Sequence, residues 1–362
     1  MDGLDDVVAA QTVLSDVDGA NGQLVIRGYA LAELSGHVAF EDAAHLLLGG
    51  LLDDLPDVAD FRRRLGLARE QVFHHVAALE AGLAGLPPFD VVRALMARLP
   101  DGDDLDCALQ LIAGPAVFTA ATIRARRGEA PLPPDPTLGH AADALRMIGG
   151  AAPTPAVSAA LDAYLVTIID HGLNASTFAA RVTASTLAGL TSAVLAGMSA
   201  LKGPLHGGAP GPVIEMLDQI GSPERAVPWL EAALDRGERL MGFGHRIYRV
   251  RDPRADCLKQ AVQALAASSA QLPGRIALAE AVEAAALDIL RRRKPQRPLQ
   301  TNVEFYTAVL LEALGFPPDA FTCVFAMGRV AGWIAHAREQ VLSGRLIRPK
   351  SLYIGPAPKR AA

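Results

Sequence analysis

Aromatic side chains are scarce in this sequence: Phe, Trp and Tyr make up 5% of 362 residues, although 51% are hydrophobic. The core must therefore be assembled from Ala, Leu, Val and Ile, which favours helices packed closely through small side chains. Cysteine is also rare. Cys107, Cys257 and Cys323 lie far apart and form no CxxC pair. That argues against a disulfide framework or a cysteine zinc site and suits a reducing cytoplasm. Basic surface is lacking as well, with a formal net charge of -5. The longest basic run, Arg291-Arg292-Arg293-Lys294, is cut by Pro295 and reads as a solvated helix end, so no nucleic-acid partner is expected. The start, MDGLDDVVAAQ, lacks the basic opening and apolar block of a signal peptide. No uncharged, strongly apolar run of about 18 residues occurs, so no membrane span is expected. The most apolar stretch, 178–201, contains Arg181 and many hydroxyl residues and reads as a buried helix.

What is present is helical periodicity. It predicts helices over 40–52, 89–99, 105–128, 138–149, 155–171 and 176–201, then 211–221, 226–237, 256–270, 275–291, 302–315 and 319–344. The 105–128 helix is expected to be interrupted or kinked at Gly114-Pro115. A short strand-like QLVIRGY (23–29) precedes them, and the four prolines of 128–137 form an extended connector. Strands do not alternate with helices, and no fixed period repeats. The reading is an all-α chain of two domains, with the Gly/Pro-rich stretches 202–212 and 315–319 as hinges. Residues 1–207 and 319–362 form the large domain, and 208–318 a smaller inserted one.

Four polar stretches break their local pattern. DHGLNAST (170–177) carries His171 at one helix end, with Ser176 placed to cap the next helix. LKGPLHGGAPGPV (201–213) sets His206 among glycines and prolines, where the main chain can approach another group closely. GFGHRIYRVRDPR carries His245 and Arg254, and TNVEFYT places Glu304 in an otherwise apolar helical run. Each stretch alone has a bland explanation: a capping or core histidine, a surface arginine, a glutamate on the solvent side of its helix.

Together and in this order, NASTFAARVTASTLAGLTSAVLAGMSALKGPLHGGAP, MGFGHRIYRVRDPRA and NVEFYTAVLLEALGF closely resemble the citrate synthase family. LVIRGYALAEL, RRGEAPLPPDP and GRLIRPKSLYIGP are similar to the flanking segments, so the resemblance spans nearly the whole chain. It implies condensation of acetyl-CoA with oxaloacetate and hydrolysis of the citryl thioester, with acetyl-CoA as co-substrate and no tightly bound cofactor or metal. Glu304 matches the carboxylate base, His206 the donor to the thioester oxygen, and His245 the group that polarises and protonates the ketone. His171 matches a further oxaloacetate contact. Arg254, Arg329 and Arg348 match the arginines that bind carboxylates, the last reaching the neighbouring subunit of a homodimer. For coenzyme A, the backbone of Met241, Gly242, Phe243 and Gly244 is a candidate for the adenine, and Arg249 and Arg251 for the phosphates.

The chemistry is coherent without the family. A thioester α-proton is too weakly acidic for a free carboxylate unless a donor stabilises the enol oxygen. A neutral imidazole near a helix start could be that donor. A dicarboxylate favours Arg over Lys. The departure is Glu304, where the family's NVDFY motif has aspartate. One more methylene moves the carboxylate by roughly 1 Å, which can cost about 10²-fold. Two alternatives accompany this reading: a 2-methylcitrate synthase using propionyl-CoA, and a ligand-binding paralogue with little catalysis. A metal hydrolase built on His171, His206, His245 and Glu304 would need a short ligand motif such as HxxxH, and the sequence has none.

Overall fold

A computed structural model of the chain describes residues 3–356 apart from 5–6, 80–82, 84, 208–210, 246, 269–272 and 297–298. It is 61% helix and 4% strand with 15 helices, in line with the all-α reading. The strands are β1 (Ser15–Asp18), β2 (Gln23–Ile26) and β3 (Tyr29–Ala30), an antiparallel meander in which Ser15 faces Ile26 and Asp18 faces Gln23. The expected 23–29 strand is thus β2 and a turn, with Arg27 at φ 50° and Gly28 at φ 89°. β1 escapes a hydrophobicity reading because SDVD has a single apolar residue.

The helix Phe321–Ser343 forms the axis of the core and is buried almost continuously from Phe321 to Gln340. Around it pack Leu105–Arg126, Ala175–Ala184, Leu190–Leu201, Phe40–Leu48 and Pro155–Ile168. Glycine allows this closeness. A Cβ on Gly332 would lie 2.3 Å from the Ile169 carbonyl oxygen, and one on Gly328 would lie 2.7 Å from Ile168. Small residues thus do the packing that aromatic bulk does elsewhere. The apolar windows of Leu105–Arg126 and Pro318–Ser343 would be long enough to cross a membrane, but they are 89% and 94% buried within the chain and serve as its core.

A second group, Gly211–Ile220, Ala226–Asp235, Pro273–Arg293 and Val303–Ala313, packs within itself. The helix Pro253–Ala267 lies between that group and Pro155–Ile168. The expected domain boundary after residue 207 and part of the 202–212 hinge fall on 208–210, outside the described residues.

Two helical expectations need correction. The helix Leu105–Arg126 runs through Pro115 without interruption, held by burial on all sides. The 176–201 segment is two helices, Ala175–Ala184 and Leu190–Leu201. The Ser185 and Thr186 hydroxyls donate back to Val182 and Thr183 carbonyls at the first helix end. Leu187 and Gly189 then turn at φ 62° and 93°, and the Asp101 carboxylate accepts from the Thr191 amide at 2.8 Å. Side-chain bonds to the backbone there displace the helical ladder.

Gly332→Ala must move the Ile169 backbone and is expected to cost about 1–3 kcal/mol through overpacking. Gly85→Ala, with nothing within 4 Å of the added carbon, is the control. Urea unfolding should show a lower midpoint for the first variant and none for the second; coincident midpoints would contradict this packing account.

Candidate active site

His171 follows the Pro155–Ile168 helix and is 6% exposed. Its Nε2 lies 3.1 Å from the Tyr248 hydroxyl, and its ring meets the His245 ring with centroids 6.0 Å apart. Burial, then the charges of Arg254 and Arg329, push its pKa well below 6.5. The next helix is capped by Asn174, whose side chain accepts from the Thr177 amide at 3.0 Å. Ser176, the expected cap, sits instead at the His206 ring.

His206 occupies a tight turn in which its amide donates to Gly203 O and the Gly207 amide to Leu201 O. Its Nε2 is 2.8 Å from Ser176 Oγ, which also accepts from Trp333 Nε1 at 3.1 Å. The Ser176 hydroxyl has one proton and two acceptors in reach, His206 Nε2 and Asn174 Oδ1 at 2.8 Å. When it donates to Nε2, the proton of the neutral ring resides on Nδ1. Burial and the Arg329 and Arg254 charges hold the ring's pKa down at about 4. The helix that follows this turn is described from Gly211.

His245 Nδ1 accepts from the amides of Ile247 and Tyr248 at 3.0 and 3.1 Å. The ring proton therefore belongs on Nε2, which lies 3.2 Å from Arg254 Nη2. Two donors converge on one point, the arrangement that an oxygen of an anionic ligand can bridge. Burial, then Arg254, lower the His245 pKa to about 4.

Asp252, missed at the level of sequence, ties these groups together. It is 1% exposed. Oδ1 accepts from the Arg254 amide and Nε at 3.0 Å each, and Oδ2 from Arg254 Nη2 at 2.8 Å and the Val303 amide at 3.2 Å. Burial opposes the charge of Arg254, but Asp252, with Tyr248 and Glu304 adding to it, raises the guanidinium pKa. An aspartate before Pro253 at a helix start is a capping signature, and that signal was there to be read.

Glu304 sits in the first turn of Val303–Ala313. Its Oε2 is buried and has no hydrogen-bond partner among the described residues. Burial raises its pKa above 4.5 against the opposing pull of Arg254. The loop bearing His245 is pinned to the segment before Glu304: Gly244 N donates to Gln300 O at 2.7 Å, Asn302 N to Gly242 O at 3.0 Å, and Asn302 Nδ2 to Gly244 O at 2.9 Å. Phe243 forms a β-bridge with Thr301. Those backbone groups of the expected adenine contact are thus partly committed within the chain.

Arg329, on the central helix, is 1% exposed and donates from Nε to Ile168 O at 2.6 Å. Burial lowers its pKa to about 10. Its guanidinium also faces the Phe325 ring at 4.8 Å. Arg348 lies on the extended tail, exposed, and takes part in none of the bonds above. Arg249 is exposed, whereas Arg251 is engaged with Asp256, Glu283 and Thr301. Met241 is half-buried against the core. Beside His245, Gly244 and Phe243 opens a cavity of about 480 Å³, with Arg239 and Lys294 in its wall, two cations the sequence reading did not single out.

The site thus offers neutral imidazole donors, guanidinium groups and an unpaired carboxylate in one low-dielectric region. Such a set can bind an anion, polarise a carbonyl and remove a weakly acidic proton.

Residues 3–350 match the family model "Citrate synthase, C-terminal domain". The citrate synthase of Acidithiobacillus ferridurans is 36% identical over 99% of this chain and 96% of its own length. A 2-methylcitrate synthase of Mycobacterium tuberculosis is also 36% identical, over 98% of this chain and 90% of its own. Among solved structures, citrate synthase from Thermotoga maritima superposes with a TM-score of 0.84 at 33% identity, covering 100% of this chain and 97% of that one. The ternary complex of Thermoplasma acidophilum citrate synthase with carboxymethyl coenzyme A and oxaloacetate gives 0.84 at 28% identity, covering 99% and 97%. By sequence over its whole length and by fold, the chain belongs to the citrate synthase family of acyltransferases.

Proposed function

We propose that the chain condenses acetyl-CoA with oxaloacetate and then hydrolyses the citryl thioester. The observation that carries this is the buried Oε2 of Glu304, without a hydrogen-bond partner among the described residues and near enough to Arg254 to feel its charge. Glu304 takes a proton from the acetyl methyl group. The electron pair moves onto the thioester oxygen, which accepts from His206 Nδ1–H when Ser176 donates to Nε2. The methyl carbon then bonds to the ketone carbon of oxaloacetate as the C=O pair moves onto the ketone oxygen, which takes the proton of His245 Nε2 while water returns a proton to the ring. Water afterwards attacks the thioester carbonyl, and CoA leaves as the thiol.

Arg254 and Arg329 bind the carboxylates of oxaloacetate, and His171, anchored on Tyr248, adds a further contact. Arg348 completes the site from a second copy in a homodimer. Support for that lies in the exposed apolar tail that carries it, with Leu346, Leu352, Tyr353 and Ile354 uncovered. The 480 Å³ cavity beside Gly244 takes the nucleotide end of the acyl-CoA, with Arg239, Lys294 and Arg249 offered to phosphate and the free backbone of 241–244 to adenine. Movement of 208–318 against the rest of the chain closes water out until the carbon–carbon bond has formed. A reducing cytoplasm fits the three free cysteines, all buried.

Glu304→Gln keeps the shape and removes the base, and should lower kcat for thiol release by about a thousandfold. Glu304→Asp retracts the carboxylate and should cost about 10²-fold. Parent-level turnover in the glutamine variant would remove Glu304 from the role, whereas a parent that binds oxaloacetate but releases no thiol would favour a ligand-binding protein with little catalysis.

In the pH profile of kcat/KM, activity should fall as pH drops through a pKa above 4.5, because protonation disables Glu304. The imidazoles of His206 and His245, lowered to about 4, take up protons only toward the acid end of that limb. The measurement is loss of thioester absorbance, and a profile flat down to pH 4 would contradict the assignment.

The similarity to a 2-methylcitrate synthase makes propionyl-CoA the rival substrate. One methylene in a pocket is worth about 1–3 kcal/mol. The expected result is a higher kcat/KM for acetyl-CoA; the reverse order would assign the 2-methylcitrate reaction.

A further inference from the structure

The N-terminal β-hairpin touches both of the segments that carry His171 and His245. Ser15, at the start of β1, donates from Oγ to Asp170 Oδ2 at 2.5 Å and accepts from the Gly172 amide at 2.9 Å. It therefore holds both chain neighbours of His171. Four residues on, at the hairpin turn, Gly19 O accepts from the Arg249 amide at 2.8 Å. A Cβ on Gly19 would lie 2.5 Å from the Ile247 carbonyl oxygen, and one on Gly22 would lie 2.7 Å from Val250. The turn itself is fixed by Asp18, whose Oδ1 accepts from the amides of Ala20 and Asn21 at 3.0 Å each.

Ile247 matters because its amide, with that of Tyr248, donates to His245 Nδ1. The placement of those two amides decides which ring nitrogen of His245 carries the proton. Tyr248 also carries the hydroxyl that meets His171 Nε2. The hairpin turn thus bears on the backbone that orients His245, while the other end of the same strand anchors the segment of His171.

We infer that the β1–β2 hairpin is a positioning clamp for the oxaloacetate end of the site, fixing the His171 segment through Ser15 and the His245 loop through Gly19. Neither residue touches the reacting atoms; each acts through the histidine it positions. The inference rests on the proposed function, in which these two rings contact oxaloacetate. A hairpin that only adds stability would leave the two ends independent.

The test uses the full chain with Ser15→Ala, Ser15→Thr and Gly19→Ala, followed by amide hydrogen exchange over 170–174 and 247–251 and by steady-state kinetics. Ser15→Ala should speed exchange over 247–251, the end it does not touch, and Gly19→Ala should do the same over 170–174. KM for oxaloacetate should rise about tenfold in both, with KM for acetyl-CoA within about twofold of the parent. Ser15→Thr keeps the hydroxyl and should stay near the parent in all readouts. Exchange altered only at the mutated end, or both KM values rising together with a fall in melting temperature, would overturn the clamp. If the parent itself releases no thiol with oxaloacetate, the proposed function fails, and far-end exchange alone decides for or against the clamp.

Discussion

Asp252 and Arg254 form a buried ion pair in which three donors of one arginine meet one carboxylate, and that carboxylate has one further partner, the Val303 amide. Pairing of this quality is what makes burial of the charges tolerable. Its consequence is geometric. Asp252 joins the start of Pro253–Ala267 to the start of Val303–Ala313, and so joins Arg254 to the helix that carries Glu304. Arg254 in turn reaches His245 at 3.2 Å. Carboxylate, guanidinium and imidazole come from separate stretches of chain, and Asp252 ties the first two stretches together. The pairing of 242–244 with 300–302 adds a backbone brace between the same two regions.

Much of this was legible in the sequence through the resemblance of several stretches, taken together and in order, to the citrate synthase family, since each stretch alone had a bland explanation. GPLHGG, GHR with DPR, and NVEFY named His206, His245, Arg254 and Glu304, and the structure brings His171 and Arg329 to the same region. Helix existence was also legible from periodicity, whereas the break at 185–189 was not. The apolar pattern of 178–201 continues across it, and only hydroxyl-to-backbone bonds and a cap from distant Asp101 end the helix. Ser176 was misread for a related reason. Asn174 and Ser176 are both competent caps, and the choice between them depends on His206 and Trp333, 30 and 157 residues away. Asp252 was overlooked because its local role, capping a helix, hides its tertiary one. The N-terminal sheet was half visible, since SDVD has no apolar alternation and is held by pairing and by contacts to loops far along the chain.

Desolvation unites the acid–base properties of the site. Removing water penalises the charged form of every group, so it pushes bases down and acids up. Neighbouring guanidinium charges push the imidazoles further in the same direction, since each would add positive charge to positive charge. In water a glutamate near 4.5 is a weaker base than an imidazole near 6.5. In this site burial moves the two kinds of group toward each other, lowering the His206 and His245 rings to about 4 and raising Glu304. Under the proposed function both shifts serve the chemistry: the carboxylate gains basicity where a proton leaves carbon, and the rings are held in the neutral form as donors to the oxygens on which negative charge develops. Exposing the site would relax both shifts and make the imidazoles stronger bases than the carboxylate. The extra methylene of Glu304 fits within this constraint, since the carboxylate need only stay inside the desolvated region, with Oε2 unpaired, to keep its raised basicity.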